Sequence, residues 1–315
     1  MSRLRLYTIE LTLVVVLAAA VGYFGYLGYG LLTPKFVAEP FSGERAYQYA
    51  ARQMEFGDRS AGSENNIRMG DWLVEELRIL GWDVVIQPFS APDGTPARNI
   101  IAIRSASPAP PQSAILMTHY DTRLFADRDP DPANQIQPAP GANAGASGTA
   151  VLLELARTLD ADATGHTVCL VFLDGEENGG LTGWEDAAGS AQFVQRLEND
   201  LPRCRSPRLA VYLDLVGSGS QRFYAESTGA TALTTAIWKV AAELGYGGVF
   251  IDEPTWSATD AHSRFSALGV PAITLADYAY PYRDTLADVM EQLDAGSLGR
   301  VGVTLKTWLE RGAPF

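Results

Sequence analysis

From Leu11 to Leu32 the chain runs 22 residues without a charge. Wound as a helix at 1.5 Å per residue, that stretch is roughly 33 Å long, enough to cross the hydrocarbon core of a bilayer. The pattern predicts one membrane-spanning helix over 11–32. A cleaved secretory signal is the rival, with Ala18-Ala19-Ala20 as its cleavage region; such signals have apolar regions of only about 7 to 15 residues, so an uncleaved anchor is the working reading. Arg3 and Arg5 precede the span and Lys35 follows it, which puts the N-terminus, residues 1–10, in the cytoplasm and the rest of the chain in a periplasmic or extracellular space. Within the span, Ala18, Gly22, Gly25 and Gly28 form a strip of small residues against which another helix could pack closely. Tyrosines 23, 26 and 29 fit an interfacial belt, which plain lipid anchoring also explains.

After Thr33-Pro34-Lys35 a short polar stretch, 33–42, reads as a stalk. From 43 to 315 the apolar period switches repeatedly. Helical spacing at 44–56 and 67–80, where Trp72, Leu73, Leu77 and Leu80 recur, gives way to strand-like runs at 83–88, 99–104 and 113–118. Helix 148–159, strand 167–173, helix 186–199, strand 208–215, helix 230–244, strand 271–275 and helix 295–311 follow. This alternation predicts a single α/β domain over 43–315, a three-layer sandwich with a mostly parallel central sheet, carried on the transmembrane helix.

Charge removes one class of partner. With 24 Lys and Arg against 37 Asp and Glu the net charge is −13, so the chain has no excess of cations with which to neutralise a phosphate backbone, and nucleic acid is excluded. Two cysteines, Cys169 and Cys204, exclude a thiolate zinc module and allow at most one bridge; they are expected as two buried free thiols.

Sheets of this class bind ligands beyond the carboxyl ends of their strands. Strand 113–118 runs into His119-Tyr120-Asp121, strand 167–173 into Asp174-Gly175-Glu176-Glu177, strand 208–213 into Asp214, and strand 271–275 into the loop carrying Asp284. The connection 122–146 is about 25 residues, far longer than an ordinary one, and marks a functional loop. His119 offers an imidazole ligand, with the Asp121 carboxylate placed to orient a neighbour or the ring itself. Of the adjacent Glu176 and Glu177, one can hold a metal while the other moves protons. Each residue alone has a plain structural or solvated reading, but His119, Glu177, Asp214 and Asp284 at successive strand ends point together to a metal site.

These segments closely resemble the M28 family of zinc exopeptidases: His119-Tyr-Asp-Thr, Ala126-Asp-Arg-Asp-Pro-Asp-Pro132, Gly141-Ala-Asn-Ala-Gly-Ala-Ser-Gly148, Asp174-Gly-Glu-Glu177 and Asp214-Leu-Val-Gly217. Trp184 with Asp186 and Gly189-Ser190, Thr259-Asp-Ala-His-Ser-Arg-Phe265, and Tyr280-Pro-Tyr-Arg-Asp-Thr285 are most similar to its glutaminyl cyclase branch. The resemblance covers about 43–312. It implies one or two zinc ions held by a His, two Asp, a Glu and a second His, with a further Glu as general acid/base. Carried over, His119, Glu177 and Asp214 match ligand positions and Glu176 the acid/base, with Asp121 and Asp260 the other candidate catalytic residues. Three positions depart from the pattern. Ala144 stands where the family has its bridging aspartate, Asp260-Ala261-His262 replaces Asp-Asp-His, and Arg283-Asp284-Thr285 replaces Trp-His-Thr, which leaves Asp284 where a histidine ligand belongs.

Catalytic zinc takes three protein ligands and an open position. Split between two sites, the remaining ligands do not reach three at either; only a rearrangement pooling His119, Glu177, Asp214 and Asp284 would. The expectation is therefore weak zinc binding or none, no other cofactor, and Arg283 or Arg264 filling the field a metal would leave. Two functional readings follow. The preferred one is a non-catalytic domain serving as a structural or interaction subunit, with membrane protein partners engaged through the helix and the ectodomain. The alternative is an active zinc-dependent glutaminyl-peptide cyclotransferase or aminopeptidase acting on a peptide.

Overall fold

The computed structural model describes residues 3–32, 39–184 and 187–315, with side chains of the first helix described at Tyr7 and 11–25. Most of the expected stalk, and the side-chain positions of Gly28 and Asp186, lie outside the described residues. Two units result, Met1–Ala38 and Glu39–Phe315. In chain order the helices are α1 (Arg3–Leu32), α2 (Gly43–Met54), α3 (Glu64–Ile79), α4 (Gly148–Thr158), α5 (Ala161–Thr164), α6 (Ala188–Asp200), α7 (Thr231–Glu243), α8 (Ala261–Ala267) and α9 (Ala295–Glu310). The strands are β1 (Asp83–Ser90), β2 (Pro96–Ser105), β3 (Ser113–His119), β4 (Thr167–Leu173), β5 (Pro207–Asp214), β6 (Phe223–Glu226), β7 (Phe250–Trp256) and β8 (Ala272–Ala276).

Strands β3 and β4 are buried at every residue, as strands covered on both faces must be. Their side chains alternate between two cores. Leu116, Leu170 and Phe172 pack with Leu73 and Leu77 of α3, Val151 and Leu155 of α4, and Trp308 of α9. Ile115, Met117, Val171 and Leu173 pack on the other side with Phe193 and Leu197 of α6 and Phe265 of α8. The sheet order is β1-β2-β4-β3-β5-β8, with β1 and β2 antiparallel and β4, β3, β5 and β8 parallel. The three-layer α/β sandwich with a mostly parallel sheet is as the periodicity predicts. A second, two-stranded sheet of β6 and β7 was not expected, because β7 carries Asp252, Glu253 and Pro254 and is exposed along most of its length, so it shows no apolar alternation.

Helix α1 is continuous over 30 residues, and its described side chains between 11 and 25 are apolar on every side apart from Thr12 and Tyr23. Among the described residues no helix is long and apolar enough to cross a membrane. Ala18, Gly22 and Gly25 of the small-residue strip fall within the described stretch, and a Cβ built at either glycine would meet nothing within 4 Å.

The cysteines correct the sequence reading. Both are fully buried, as expected, yet they are joined in a disulfide with the Cα atoms 6.3 Å apart. Cys169 projects from β4 into the core under α6, and Cys204 lies just past the end of that helix, so the β4–α6 connection returns one sulfur onto the other.

Candidate active site

Register assembles the site. His119 of β3 pairs with Leu173 of β4, and Asp214 of β5 with Ala276 of β8, so the residues leaving these strands share one rim. Two close approaches set the spacing there. A Cβ on Gly148, the first residue of α4, would lie 2.1 Å from Thr118 Oγ1, and one on Gly145, at φ 95°, would lie 2.7 Å from the Asp121 carbonyl. Only glycine lets the 141–148 segment seat this tightly against β3.

The His119 ring is fully buried, with Nδ1 3.0 Å from the Asp121 carbonyl oxygen, a bond that places a proton on Nδ1. Nε2 points at two carboxylates, Asp214 Oδ1 at 3.4 Å and Glu177 Oε2 at 3.6 Å. Burial alone would lower the His119 pKa, but Glu177, Asp121 and Asp214 hold it well above its ordinary value. Asp214 is lowered despite its burial, through the His119 hydrogen bond and the Arg283 charge, whereas burial pushes Glu177 well up. The Asp121 carboxylate faces both the ring and the backbone: Oδ1 lies 3.5 Å from His119 Nδ1, and Oδ2 accepts the Glu177 N–H at 3.1 Å.

Glu176 lies apart from this cluster. Its carboxylate accepts Ser190 N–H at 2.8 Å and Ser190 Oγ–H at 2.7 Å, while Arg264 Nε donates to the same Ser190 oxygen at 2.8 Å. Burial raises its pKa to about 7, the poise that suits a proton shuttle at neutral pH. It borders a cavity of about 550 Å³, also walled by Glu177, Asp214, Asp260, Arg283 and the stacked pair Trp256–Tyr278, whose ring centroids are 4.6 Å apart. Asp260 reaches this wall with its carboxylate already taken: it bonds the His262 ring and accepts Thr274 Oγ1–H at 2.8 Å, and His262 Nε2 contacts Glu226 at 3.2 Å. His166 is remote, with Nε2 3.3 Å from the Gly312 carbonyl.

A raised acid pKa stabilises the fold below the ordinary pKa and loses that contribution as pH rises through the folded value. For Glu176 the window is pH 4.5 to about 7, and Asp174, at about 7, and Asp277, at about 6, shift in the same direction. Glu176→Gln mimics the protonated acid. It is expected to lie within about 1 kcal/mol of wild type at pH 5 and to exceed it by about 3 kcal/mol at pH 8, at about 1.4 kcal/mol per pKa unit. Denaturant melts at the two pH values check this; equal stability at pH 8 contradicts it.

The family model for Peptidase family M28 matches residues 99–309. The chain belongs to that family. A glutaminyl-peptide cyclotransferase-like protein of Mus musculus is 31% identical over 186 residues, 53% of this chain and 46% of that one, and the chain spans about half or less of the curated relatives it matches. Among solved structures, Porphyromonas gingivalis glutaminyl cyclase superposes with a TM-score of 0.78 at 34% identity, covering 86% of this chain and 99% of that one. A Zn-dependent exopeptidase from Parabacteroides distasonis ATCC 8503 gives 0.78 at 29%, covering 87% and 99%.

The donors of this M28 domain do not fit a catalytic zinc. Ala144 presents a methyl group, and its N–H is given to Asp288 at 3.0 Å. Asp284, at φ 58°, has Arg283, Arg128 and Arg123 within 3.6, 3.9 and 4.0 Å, so guanidiniums already balance its carboxylate. A dication about 4 Å from a guanidinium meets a repulsion of about 8 kcal/mol at an effective dielectric of 20. Among the described residues no group of three His, Cys, Asp or Glu side chains is set to hold a metal ion. Pooling His119, Glu177, Asp214 and Asp284 is thus not what the structure holds: the first three cluster, and the fourth turns to arginines. Of the two arginines expected in the vacated field, Arg283 is there, while Arg264 instead supports Ser190 and donates to the Ala187 carbonyl.

The sequence reading missed Asp288, Arg59 and Arg123. Arg123 donates to the Glu177 carbonyl at 2.6 Å and pairs with Asp127 at 2.7 Å, tying the Asp174–Glu177 turn to the long loop. No local pattern marks such residues, because each acts on a segment dozens of positions away.

Proposed function

We propose that the chain is a membrane-anchored, extracytoplasmic M28 domain of the glutaminyl cyclase type that lacks zinc catalysis and serves as a structural or interaction subunit of a membrane assembly. Ala144 carries the reading: a methyl group occupies the position from which the family supplies a carboxylate, and a methyl group cannot ligate. The anchor reading rests on the uncharged run from Leu11 to Leu32 and on the side chains of α1 described at 11–25, which are apolar apart from Thr12 and Tyr23, although the described residues alone do not make a span. The disulfide supports an oxidising compartment. Partners then engage the helix strip at Ala18, Gly22 and Gly25 or the surface of the domain.

One observation favours the second reading, an active zinc-dependent cyclotransferase or aminopeptidase. Glu176 keeps a pKa near 7 on an open cavity. Turnover of a peptide with N-terminal glutamine, and of an aminoacyl amide, by the detergent-solubilised full chain with and without added Zn²⁺ separates the two. The proposal expects background rates throughout. A rate that falls about 100-fold or more on Glu176→Gln, the scale of a lost acid/base, replaces it with the second reading.

A further inference from the structure

Arg283 occupies a place in the carboxylate cluster that the loss of donors does not by itself explain. Its Nε lies 3.6 Å from Asp284 Oδ2, and its Nη2 lies 4.0 Å from Glu177 Oε1. Glu177 Oε1 and Asp284 Oδ1 are buried and receive no hydrogen bond among the described residues, so charge rather than hydrogen bonding is what these groups offer each other. The guanidinium also faces the Tyr278 ring, 5.8 Å from its centroid, and its side chain is only a quarter exposed. Three carboxyl groups, Glu177, Asp214 and Asp284, border this space; among the described residues Arg283 is the guanidinium within 4.0 Å of both the Glu177 and Asp284 carboxylates, while Arg123 and Arg128 approach that of Asp284 alone. Arg123 is committed to Asp127 and to the Glu177 and Gly179 carbonyls, and Arg128 is 63% exposed.

We infer that Arg283 is a built-in counter-cation: its guanidinium takes the electrostatic place of a metal dication between Glu177 and Asp284, so that the domain keeps its acidic pocket without zinc and resists binding it. The inference rests on the non-catalytic reading but is separable from it. A point charge that is covalently attached cannot be removed by a chelator, and it repels a dication approaching the same carboxylates. Buried acids without such a partner would be driven to protonate or to destabilise the fold. Arginine suits the role because it stays charged at any physiological pH and its planar face can rest on an aromatic ring.

The test uses the full-length protein in detergent and ZnCl₂ alone as the probe, with affinity read by competition against a chromophoric chelator and stability by thermal melting. Arg283→Met keeps much of the apolar stem and removes the charge, while Arg283→Lys keeps a charge. Wild type and Arg283→Lys are expected to melt at the same temperature with zinc, without zinc and with EDTA. Arg283→Met is expected to melt lower at pH 7.5, to recover on adding Zn²⁺, and to bind zinc at least about 100-fold more tightly than wild type, because the repulsion is gone. Zinc retained stoichiometrically by wild type, or equal zinc affinity in wild type and Arg283→Met, overturns the inference. If Arg283→Met folds only when zinc is present, that outcome supports it; if it fails to fold even with zinc, the wild-type titration decides alone. Chelator-insensitive peptide turnover by wild type would remove the non-catalytic reading and leave this inference standing, whereas zinc bound by an inactive wild type would do the reverse.

Discussion

Cys169→Ala with Cys204→Ala is expected to lower the stability of the Glu39–Phe315 domain by about 4 kcal/mol, from the loop entropy of a bridge closing a separation of 35 residues. For a domain of this size that corresponds to a fall of roughly 8 °C in melting temperature. The bridge joins β4, which pairs with β2 on one side and β3 on the other, to the turn after α6. It therefore staples the helix carrying Ser190, and through it Glu176, to the middle of the sheet. Both sulfurs are fully buried, so the double alanine variant is the appropriate perturbation; a reductant would reach the bond slowly. Alanine at both positions also leaves no unpaired thiol. Coincident melting curves for variant and wild type would show that the bridge adds nothing beyond packing.

Asp288→Ala is expected to cost about 3–5 kcal/mol, because it strands several buried groups at once. The carboxylate is fully buried and accepts Asn143 N–H at 2.8 Å, Ala144 N–H at 3.0 Å and Tyr280 O–H at 2.8 Å. Its charge also acts on Arg59, a fully buried guanidinium whose pKa burial lowers to about 10 and which donates to the Pro140 and Gly141 carbonyls. Together, Asp288 and Arg59 clamp the 140–144 segment from both sides. Hydrogen exchange should accelerate at the Asn143 and Ala144 amides in the variant, and Asp288→Asn should retain more of the stability because its amide oxygen still accepts. A loss under about 1 kcal/mol for Asp288→Ala would mean that the segment is held by other contacts.

The rim of acids was legible in the sequence because it follows from chain order. Parallel strands joined by crossover helices deliver their carboxyl ends to one edge, so His119, the Glu176–Glu177 pair and Asp214 had to converge once the alternation was read correctly. The side chains of Ala144 and Asp284 were read directly too, a methyl group and a carboxylate, whereas their surroundings were not. The small sheet of β6 and β7 was not legible, because a short strand and a largely exposed polar one leave no periodic trace.

By itself, then, the sequence determined the α/β layering, the apolar N-terminal helix as a helix, and the edge of the sheet where the acids gather. Only the tertiary structure decided which arginine enters the cluster, that Asp260 is bound to His262 and Thr274, that Cys169 and Cys204 are bonded, and that Asp288 holds the backbone of residue 144 from a distance of 144 positions. The division has one physical cause. Periodicity and donor chemistry are local properties of a chain, written residue by residue. A counter-ion, a bridge or a buried acceptor is defined by what lies within a few ångströms after folding, and the loops bringing Arg283 to Glu177 and Asp288 to Ala144 carry no repeating pattern from which that proximity could be read.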